Sequence, residues 1–467
     1  MKKNLPFLVI ISAPLLFLPA LGNFFSGDDW FHLNISRITH WSEFLNFFSF
    51  FPTSQSAAFY RPIPSQVFFF VFHSLFGLNS WPYYLFVLAI FGLSLYLVYL
   101  LAKKISGSEK LALLTLFFYA FSVTNFTRVY FLSAFQEIVM VVFVLLACLF
   151  YLKDESIKNT LFSVLFFILA LGSKETAVVL PLILLLISWW EKKINFRRLL
   201  PFGLILGLYL FFRFFHFGGV VGESYLWDFS PKRALNTLFW YTLWSFGAPE
   251  LLVDYVSSGF RILPRFYTDF PIWSWTILIS VLLTLGSFLW LMFKKIKKID
   301  KLLVFGGAIF LLGLSPVLFL PWHKFTLELT LPMVGFSLLL AKISLPKAKR
   351  YPVFVYFFLW LNLSMNFFTY KTHYSVNRSK IAREVYRYFQ TTYPQFPKEQ
   401  AFWFVNDEEV AIKEWGRSKQ IAQVTADANL FEVLYNDRKI DIYFQDKEGK
   451  IPAGKKVIPI KSGMFLR

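Results

Sequence analysis

The sequence predicts an all-α polytopic membrane protein with about eleven transmembrane helices, interfacial helices in the first outer loop and a small C-terminal soluble α/β domain. Hydrophobic residues make up 57% of the 467 residues, whereas soluble globular chains contain about 45–50% apolar residues. The apolar residues lie in blocks, and several blocks are long enough to cross a bilayer. After residue 373 the chain becomes charged, which divides it into a membrane domain, 1–373, and an outer domain, 374–467.

Eleven apolar blocks are the predicted spans: 6–22, 82–102, 110–127, 134–152, 159–173, 176–190, 199–217, 272–293, 302–320, 325–341 and 351–370. We interpret the first block as a retained span, with a cleaved signal peptide as the alternative. The stretch 234–253 is interrupted by Gly247, Pro249 and Glu250. It therefore predicts a re-entrant or interfacial segment.

The distribution of lysine and arginine predicts the orientation. The net charge is +19, and within residues 1–373 most basic residues lie in alternate loops: 2–3, 103–110, 153–158, 192–198, 294–301 and 342–350. By the positive-inside rule these loops and the N-terminus are cytoplasmic, and the tail is extracytoplasmic. This placement argues against nucleic acid as a partner and favours membrane lipid. The compact size and the basic inner loops suit a bacterial plasma membrane.

The first outer loop carries a single apolar stripe at helical spacing, formed by Phe31, Ile35, Ile38, Trp41, Leu45 and Phe48. The stripe predicts one interfacial helix, with Trp30 and Trp41 at the headgroup level. A second interfacial helix is predicted over 63–76.

The tail alternates between strand-like and helical patterns. Strands are predicted over 402–405 and 440–444, and a helix over 380–389. Together they predict a small α/β domain near the lower size limit for independent folding.

The acidic pair Asp28-Asp29 follows the first span. One interpretation is a polar stop that also caps the next helix. The other is a catalytic base, because a neighbouring like charge raises a carboxyl pKa toward the range of a useful base. Adjacent carboxylates also suit an oxygen-seeking divalent cation, so both residues are candidate metal ligands.

Several cations lie on the predicted outer side, where the positive-inside rule disfavours them. The candidates to bind an anionic ligand are Arg61, Lys174, His323 and Lys324, and the candidate supporting residues are Tyr60, Glu175, Arg261 and Arg265. For the Lys174-Glu175 turn, a structural ion pair is the alternative. For Pro321-Trp322-His323-Lys324, an aromatic and basic interfacial anchor is the alternative. Cys148 is the single cysteine, and the six histidines show no metal-ligand spacing.

These motifs together resemble the GT-C glycosyltransferases, and within them the protein O-mannosyltransferase-like branch. The resemblance covers about residues 1–345. It rests on Asp28-Asp29, on Tyr60-Arg61-Pro62, on Leu171-Gly172-Ser173-Lys174-Glu175-Thr176-Ala177 with Pro181, and on Pro321-Trp322-His323-Lys324 before Leu331-Pro332-Met333-Val334-Gly335. The tail resembles no family.

The resemblance implies an integral membrane enzyme that moves a sugar from a polyprenyl-phosphate donor to a hydroxyl on a protein, lipid or glycan acceptor. An acidic residue would be the general base, and the first residue of the pair, Asp28, is favoured. Arg61, Lys174, His323 and Lys324 would bind the donor phosphate, and a divalent metal ion is optional. A transporter or flippase of lipid-linked saccharide and a non-catalytic membrane scaffold are the alternative functions.

Overall fold

The computed structural model describes residues 4–57, 59–215, 225–257, 259–295, 300–345, 352–397, 400–407, 416–449, 454 and 456–466. The C-terminal end of the predicted span 199–217 and part of the basic inner loops lie outside these residues.

The described part of the chain is mainly helical. Its α-helices are α1 Leu5–Leu16, α2 Asp28–Ile35, α3 Phe68–Phe76, α4 Trp81–Ser106, α5 Glu109–Ala120, α6 Phe126–Tyr130, α7 Phe135–Tyr151, α8 Ile157–Leu171, α9 Leu180–Trp190, α10 Phe196–Phe215, α11 Pro231–Phe246, α12 Arg265–Asp269, α13 Pro271–Lys295, α14 Lys301–Leu314, α15 Pro332–Ser344, α16 Val353–Thr372, α17 Tyr374–Thr392, α18 Arg417–Thr425, α19 Asn429–Leu434 and α20 Gln445–Glu448. Its strands are β1 Gln400–Val405, β2 Ile442–Phe444 and β3 Lys456–Lys461.

An apolar helix lies at each of the eleven predicted spans. Within the described residues, six helices are long and apolar enough to cross a membrane, and the bent pair Glu109–Ala120 and Val123–Tyr130 makes a seventh. The remaining four lie over Ile157–Leu171, Glu175–Trp190, Lys301–Leu314 and Pro332–Ser344 and are shorter than a full span. The chain is thus a multi-pass helical membrane protein, and the count of eleven stays a prediction.

Burial separates the central helices from the peripheral ones. Most residues of α7 are buried, and this helix packs against α4 and α8. In contrast, α10 and α13 expose large apolar side chains such as Leu204, Leu208, Ile279 and Leu282. In a membrane protein these exposed side chains face lipid, which removes the cost of their contact with water.

The prediction of one continuous helix in the first outer loop is wrong. It is divided into α2 and a 3₁₀ helix, Trp41–Phe48, because Arg37 hydrogen-bonds to the Glu432 carbonyl (2.7 Å) and anchors the chain between them. Trp30 is fully buried, with its ring 6.3 Å from that of Tyr386, so protein rather than lipid headgroups surrounds it. Trp41 is exposed, and its position at the headgroup level stays a prediction. The second predicted helix is present as Pro62–Val67 in π-helical form followed by α3.

The C-terminal segment contains a parallel three-stranded sheet in the order β2-β1-β3. Both predicted strands and the predicted helix are present, and β3 was not predicted. Phe389 of α17 packs edge-on against Phe402 of β1 and Phe431 of α19. The segment also contacts the residues just before α2: the Gly27 N–H donates to the Val424 carbonyl (2.8 Å), and the Phe24 N–H donates to the Ser379 hydroxyl (2.6 Å).

Helices α14 and α15 approach closely at two glycines. A Cβ at Gly335 would overlap the Gly306 carbonyl oxygen, and a Cβ at Gly306 would lie 2.9 Å from the Gly335 carbonyl oxygen. Gly307, next in the chain, has no atom within 4 Å of its Cβ position. Small residues at such crossings let helix backbones pack tightly in membranes.

We therefore predict that Gly335→Ala destabilises the protein by about 1–3 kcal/mol through overpacking. Gly307→Ala is the matched control and should be neutral or stabilising, because alanine favours a helix over glycine by about 1 kcal/mol. Thermal unfolding in detergent measures both variants, and equal melting temperatures would contradict the close crossing.

Candidate functional site

The acidic pair lies at the start of α2, immediately after Gly27. Gly27 adopts φ +55°, a conformation that favours glycine, and Asp28 and Asp29 follow as the first two residues of the helix. Asp29 is fully buried, and its Oδ1 accepts hydrogen bonds from the Ser133 N–H (2.8 Å) and hydroxyl (2.6 Å). Its Oδ2 accepts from the Ser26 N–H (3.0 Å). Burial raises the pKa of Asp29 to about 7, although these hydrogen bonds oppose the shift. Asp29 therefore joins α2 to the segment before α7.

Asp28 has a different environment. Its side chain is exposed and forms no hydrogen bond or ion pair with any residue that the structure describes. Even so, the surrounding protein desolvates the carboxyl and raises its pKa, while Arg378 and then Arg61 oppose this shift by charge attraction. Asp28 is thus a carboxylate available to a ligand.

Arg61 lies at the same end of the bundle and is paired with a carboxylate. Its Nε donates to Glu175 Oε2 (2.8 Å) and its Nη2 to Glu175 Oε1, while its Nη1 donates to Gln136 Oε1 (2.7 Å). The guanidinium also lies over the Phe59 ring, 4.1 Å from its centroid. A two-point Arg–carboxylate pair is strong and directional, so Glu175 compensates most of the Arg61 charge.

Lys174 is buried between two carboxylates. Its Nζ donates to Glu137 Oε1 and to Glu328 Oε1 (2.9 Å), and all three side chains are at most 3% exposed. His323 Nε2 lies 3.5 Å from the same Glu328 oxygen, and its ring lies tilted against that of Tyr225, with 4.4 Å between the ring centroids. We refer to Arg61, Glu175, Lys174, Glu137 and Glu328 as the ion-pair network. It connects the segments around 61, 137, 174 and 328 at one end of the bundle.

The remaining candidate residues are not members of the ion-pair network. Lys324 is half-buried and donates to Asn236 Oδ1 (3.1 Å), with no ion pair among the described residues. The Tyr60 hydroxyl donates to the Phe48 carbonyl (3.3 Å). Arg261 is exposed in the hairpin closed by the Val256–Ile262 bridge, and Arg265 is exposed at the start of α12. The structure gives these two arginines no hydrogen bond or ion pair to the described members of the network, so it does not bring them to the site.

Sequence reasoning missed three charged residues of this region: Glu137, Glu328 and Arg378. The first two lie at the ends of predicted spans, where an acidic residue is itself a functional signal. Arg378 lies in the first turns of α17 and was assigned to the separate tail. Its proximity to Asp28 arises from tertiary packing, which no local pattern reveals.

The geometry does not favour a metal ion held jointly by Asp28 and Asp29. Asp29 already accepts three hydrogen bonds, and two arginines lie near Asp28. In the ranges that the structure describes, no group of three or more His, Cys, Asp or Glu side chains is arranged to hold a metal ion. No step proposed below uses a metal.

These features define a class: a multi-pass helical membrane protein with a buried ion-pair network and an accessible carboxylate at one end. Residues 61–215 match the family model described as dolichyl-phosphate-mannose-protein mannosyltransferase. The matched range contains Arg61, Glu137, Lys174 and Glu175, and it confirms the predicted resemblance to the GT-C superfamily. The O-mannosyltransferase-like branch stays a prediction.

Two solved structures are similar to the chain at low identity. One is the oligosaccharyltransferase of Archaeoglobus fulgidus, tethered with an acceptor peptide containing the NVT sequon: 12% identity, 95% of this chain, 64% of that chain and a TM-score of 0.45. The chain thus spans 64% of that protein's length. The other is ArnT from Cupriavidus metallidurans bound to undecaprenyl phosphate: 13% identity, 93% of this chain, 85% of that chain and a TM-score of 0.42. No curated protein sequence matches the chain.

Through the ion-pair network, Lys174 stabilises the folded protein. Lys174→Met should destabilise the protein by about 3–5 kcal/mol, because it leaves Glu137 and Glu328 buried without a cation. Lys103→Met is the control: Lys103 pairs with Glu109 at 2.6 Å, but both side chains are exposed, and water screens such a pair so that its loss should change stability little. Thermal unfolding in detergent compares the two. A Lys174→Met protein as stable as Lys103→Met would contradict the role assigned to the network.

Proposed function

We propose that this protein is a membrane glycosyltransferase that moves a sugar from a polyprenyl-phosphate donor to an acceptor hydroxyl, with Asp28 as the general base. The single observation that carries the proposal is the accessible, unpaired carboxylate of Asp28 beside a charged cluster. The family match over residues 61–215 supports the class of reaction and of donor.

In the proposed reaction, Asp28 accepts the proton of the acceptor hydroxyl as its oxygen attacks the anomeric carbon of the sugar. A new carbon–oxygen bond forms to the acceptor, the bond between the anomeric carbon and the phosphate oxygen breaks, and the polyprenyl phosphate leaves with the bonding electron pair. One displacement inverts the configuration at the anomeric carbon. General-base catalysis of this kind contributes about 10²–10⁴-fold to the rate.

The two aspartates have separate roles in this proposal. Asp28 is the base because its carboxylate is free, whereas Asp29 holds three donors and positions α2. The resemblance also favoured the first residue of the pair, so two independent arguments support Asp28.

The proposed cations also differ in role. Arg61 and Lys174 are compensated by Glu175, Glu137 and Glu328, so they shape the site rather than carry free charge to the donor. Lys324 lacks an ion-pair partner among the described residues. Of the four residues predicted to bind the donor phosphate, it is therefore the one best suited to do so. Partial burial lowers its pKa.

We further propose that the reaction takes place on the outer face of a bacterial plasma membrane. The predicted outer motifs around Arg61, Lys174 and His323 meet at one end of the bundle. The predicted inner loops form a separate set of contacts with one another. Lys301 donates to the Trp190 carbonyl (2.8 Å), and Lys295 donates to the Leu345 carbonyl (2.7 Å). This separation supports the orientation derived from the positive-inside rule. The proposed acceptor is a hydroxyl on a protein, lipid or glycan.

Asp28→Asn should reduce sugar transfer by at least about 100-fold without loss of folded protein, because the amide cannot accept the proton. Asp29→Asn should instead lower thermal stability, since it disturbs a buried set of hydrogen bonds. Glu43→Gln, an exposed acidic residue bonded to Thr39, is the matched control for charge. Transfer of radiolabelled sugar from a polyprenyl-phosphate sugar measures activity in membranes. Full transfer by Asp28→Asn would rule out this base, and movement of the donor across the bilayer without transfer would favour a flippase.

The pH dependence of transfer tests the same base. Asp28 must be ionised to act, and its pKa is raised. The ionised fraction, and with it kcat/KM, should therefore fall on acidification at a pH above the ordinary aspartate pKa of about 3.9. A pH–rate profile over a range where thermal unfolding shows intact protein measures this limb. An unchanged rate down to about pH 4 would contradict the assignment.

A further inference from the structure

The C-terminal segment is part of the wall around Asp28. Helix α18 reaches the turn that presents the aspartate: the Gln423 carbonyl oxygen lies 3.4 Å from the Cβ position of Gly27, and the adjacent Val424 carbonyl accepts from the Gly27 N–H. Further along α2, Asn34 donates to Asn429 Oδ1 (2.8 Å). The segment predicted as a separate domain thus borders the site.

Arg378 is the cation that this segment brings to the site. It is half-buried, its guanidinium lies over the Tyr374 ring at 4.7 Å from the centroid, and its Nη2 donates to Gln423 Oε1 (3.3 Å). Among the described residues it forms no ion pair and no other side-chain hydrogen bond. Since a guanidinium has five N–H donors, most of its capacity is available to a ligand.

The charge balance distinguishes Arg378 from the cations predicted from sequence. Arg61 is bonded at two points by Glu175, Lys174 lies between two glutamates, and His323 faces Glu328. Arg378 is held by a neutral amide and an aromatic ring instead. These two contacts orient the planar guanidinium without neutralising it, which is the arrangement suited to recognition of an oxyanion.

We propose that Arg378, oriented by Tyr374 and Gln423, binds a phosphate-type oxyanion of a substrate next to Asp28. This inference rests on the proposed function and deepens it, because it assigns the binding of substrate charge to the C-terminal segment. The oxyanion is that of the polyprenyl-phosphate donor or that of a second substrate. In either case the segment is a required part of the site rather than an accessory domain.

The test measures binding rather than turnover, with the full-length protein in detergent and undecaprenyl phosphate as the probe. Arg378→Gln should raise the Kd for undecaprenyl phosphate at least about tenfold, since charge-assisted hydrogen bonds are lost. Arg378→Lys should lie between wild type and Arg378→Gln, because lysine keeps the charge but not the planar fork. Undecaprenol, which lacks the phosphate, should bind all variants equally.

Arg387→Gln is the matched control, because Arg387 lies on the same helix, is exposed and pairs with Glu384. It changes the net charge equally and should leave each Kd unchanged. Thermal unfolding of every variant verifies the fold, and Arg378→Lys remains informative if Arg378→Gln does not fold.

A second titration, with inorganic phosphate as the probe and ³¹P NMR as the readout, identifies the source of the oxyanion. Weaker binding of undecaprenyl phosphate by Arg378→Gln assigns the site to the lipid phosphate. Weaker binding of inorganic phosphate alone assigns it to another substrate. Unchanged binding of both probes would overturn the inference. Because neither assay requires transfer, that result would leave the base role of Asp28 to be judged by Asp28→Asn.

Discussion

A charge buried in a helical bundle must be paired, and the ion pairs of Lys174 satisfy this constraint for the whole site. An ammonium held between Glu137 and Glu328 draws together segments that are 37 and 154 residues away in the chain. Arg61 and Glu175 extend the arrangement across a separation of 114 residues. Removing one member would leave an uncompensated buried charge, which costs several kcal/mol. The network therefore determines where the loops at this end of the bundle can lie.

The same pairing decides which groups remain available for chemistry. The conspicuous cations Arg61 and Lys174 have carboxylate partners, and Asp29 has three hydrogen-bond donors. Asp28 and Arg378 keep hydrogen-bonding capacity that no described residue uses. Asp28 belongs to α2, and Arg378 belongs to the C-terminal segment that contacts it. In this account the paired residues build a rigid frame, and the unpaired residues meet the substrates. Rigid support of a reactive group is what effective catalysis requires.

Hydropathy predicted most of the fold, because each span is a local property of about 20 residues. Motif order likewise made Asp28, Arg61 and Lys174 candidate site residues, and their roles stay predictions. Pairing could not be predicted, since Lys174 finds Glu328 only through tertiary packing. Trp30 was misplaced for the same reason: the Tyr386 ring that covers it comes from α17, far along the chain. Arg378 was assigned to a separate domain because composition changes at residue 374, whereas packing does not follow that boundary.

The most direct measurement is a cryo-EM structure of the full-length protein with a non-reactive analogue of a polyprenyl-phosphate sugar. The account predicts that the anomeric carbon lies next to the Asp28 carboxylate. It also predicts that the phosphate contacts Arg378 or Lys324, while Lys174 stays between Glu137 and Glu328. A phosphate bound to Lys174 in place of its glutamates, or a sugar remote from Asp28, would contradict the central claim that the unpaired groups form the site.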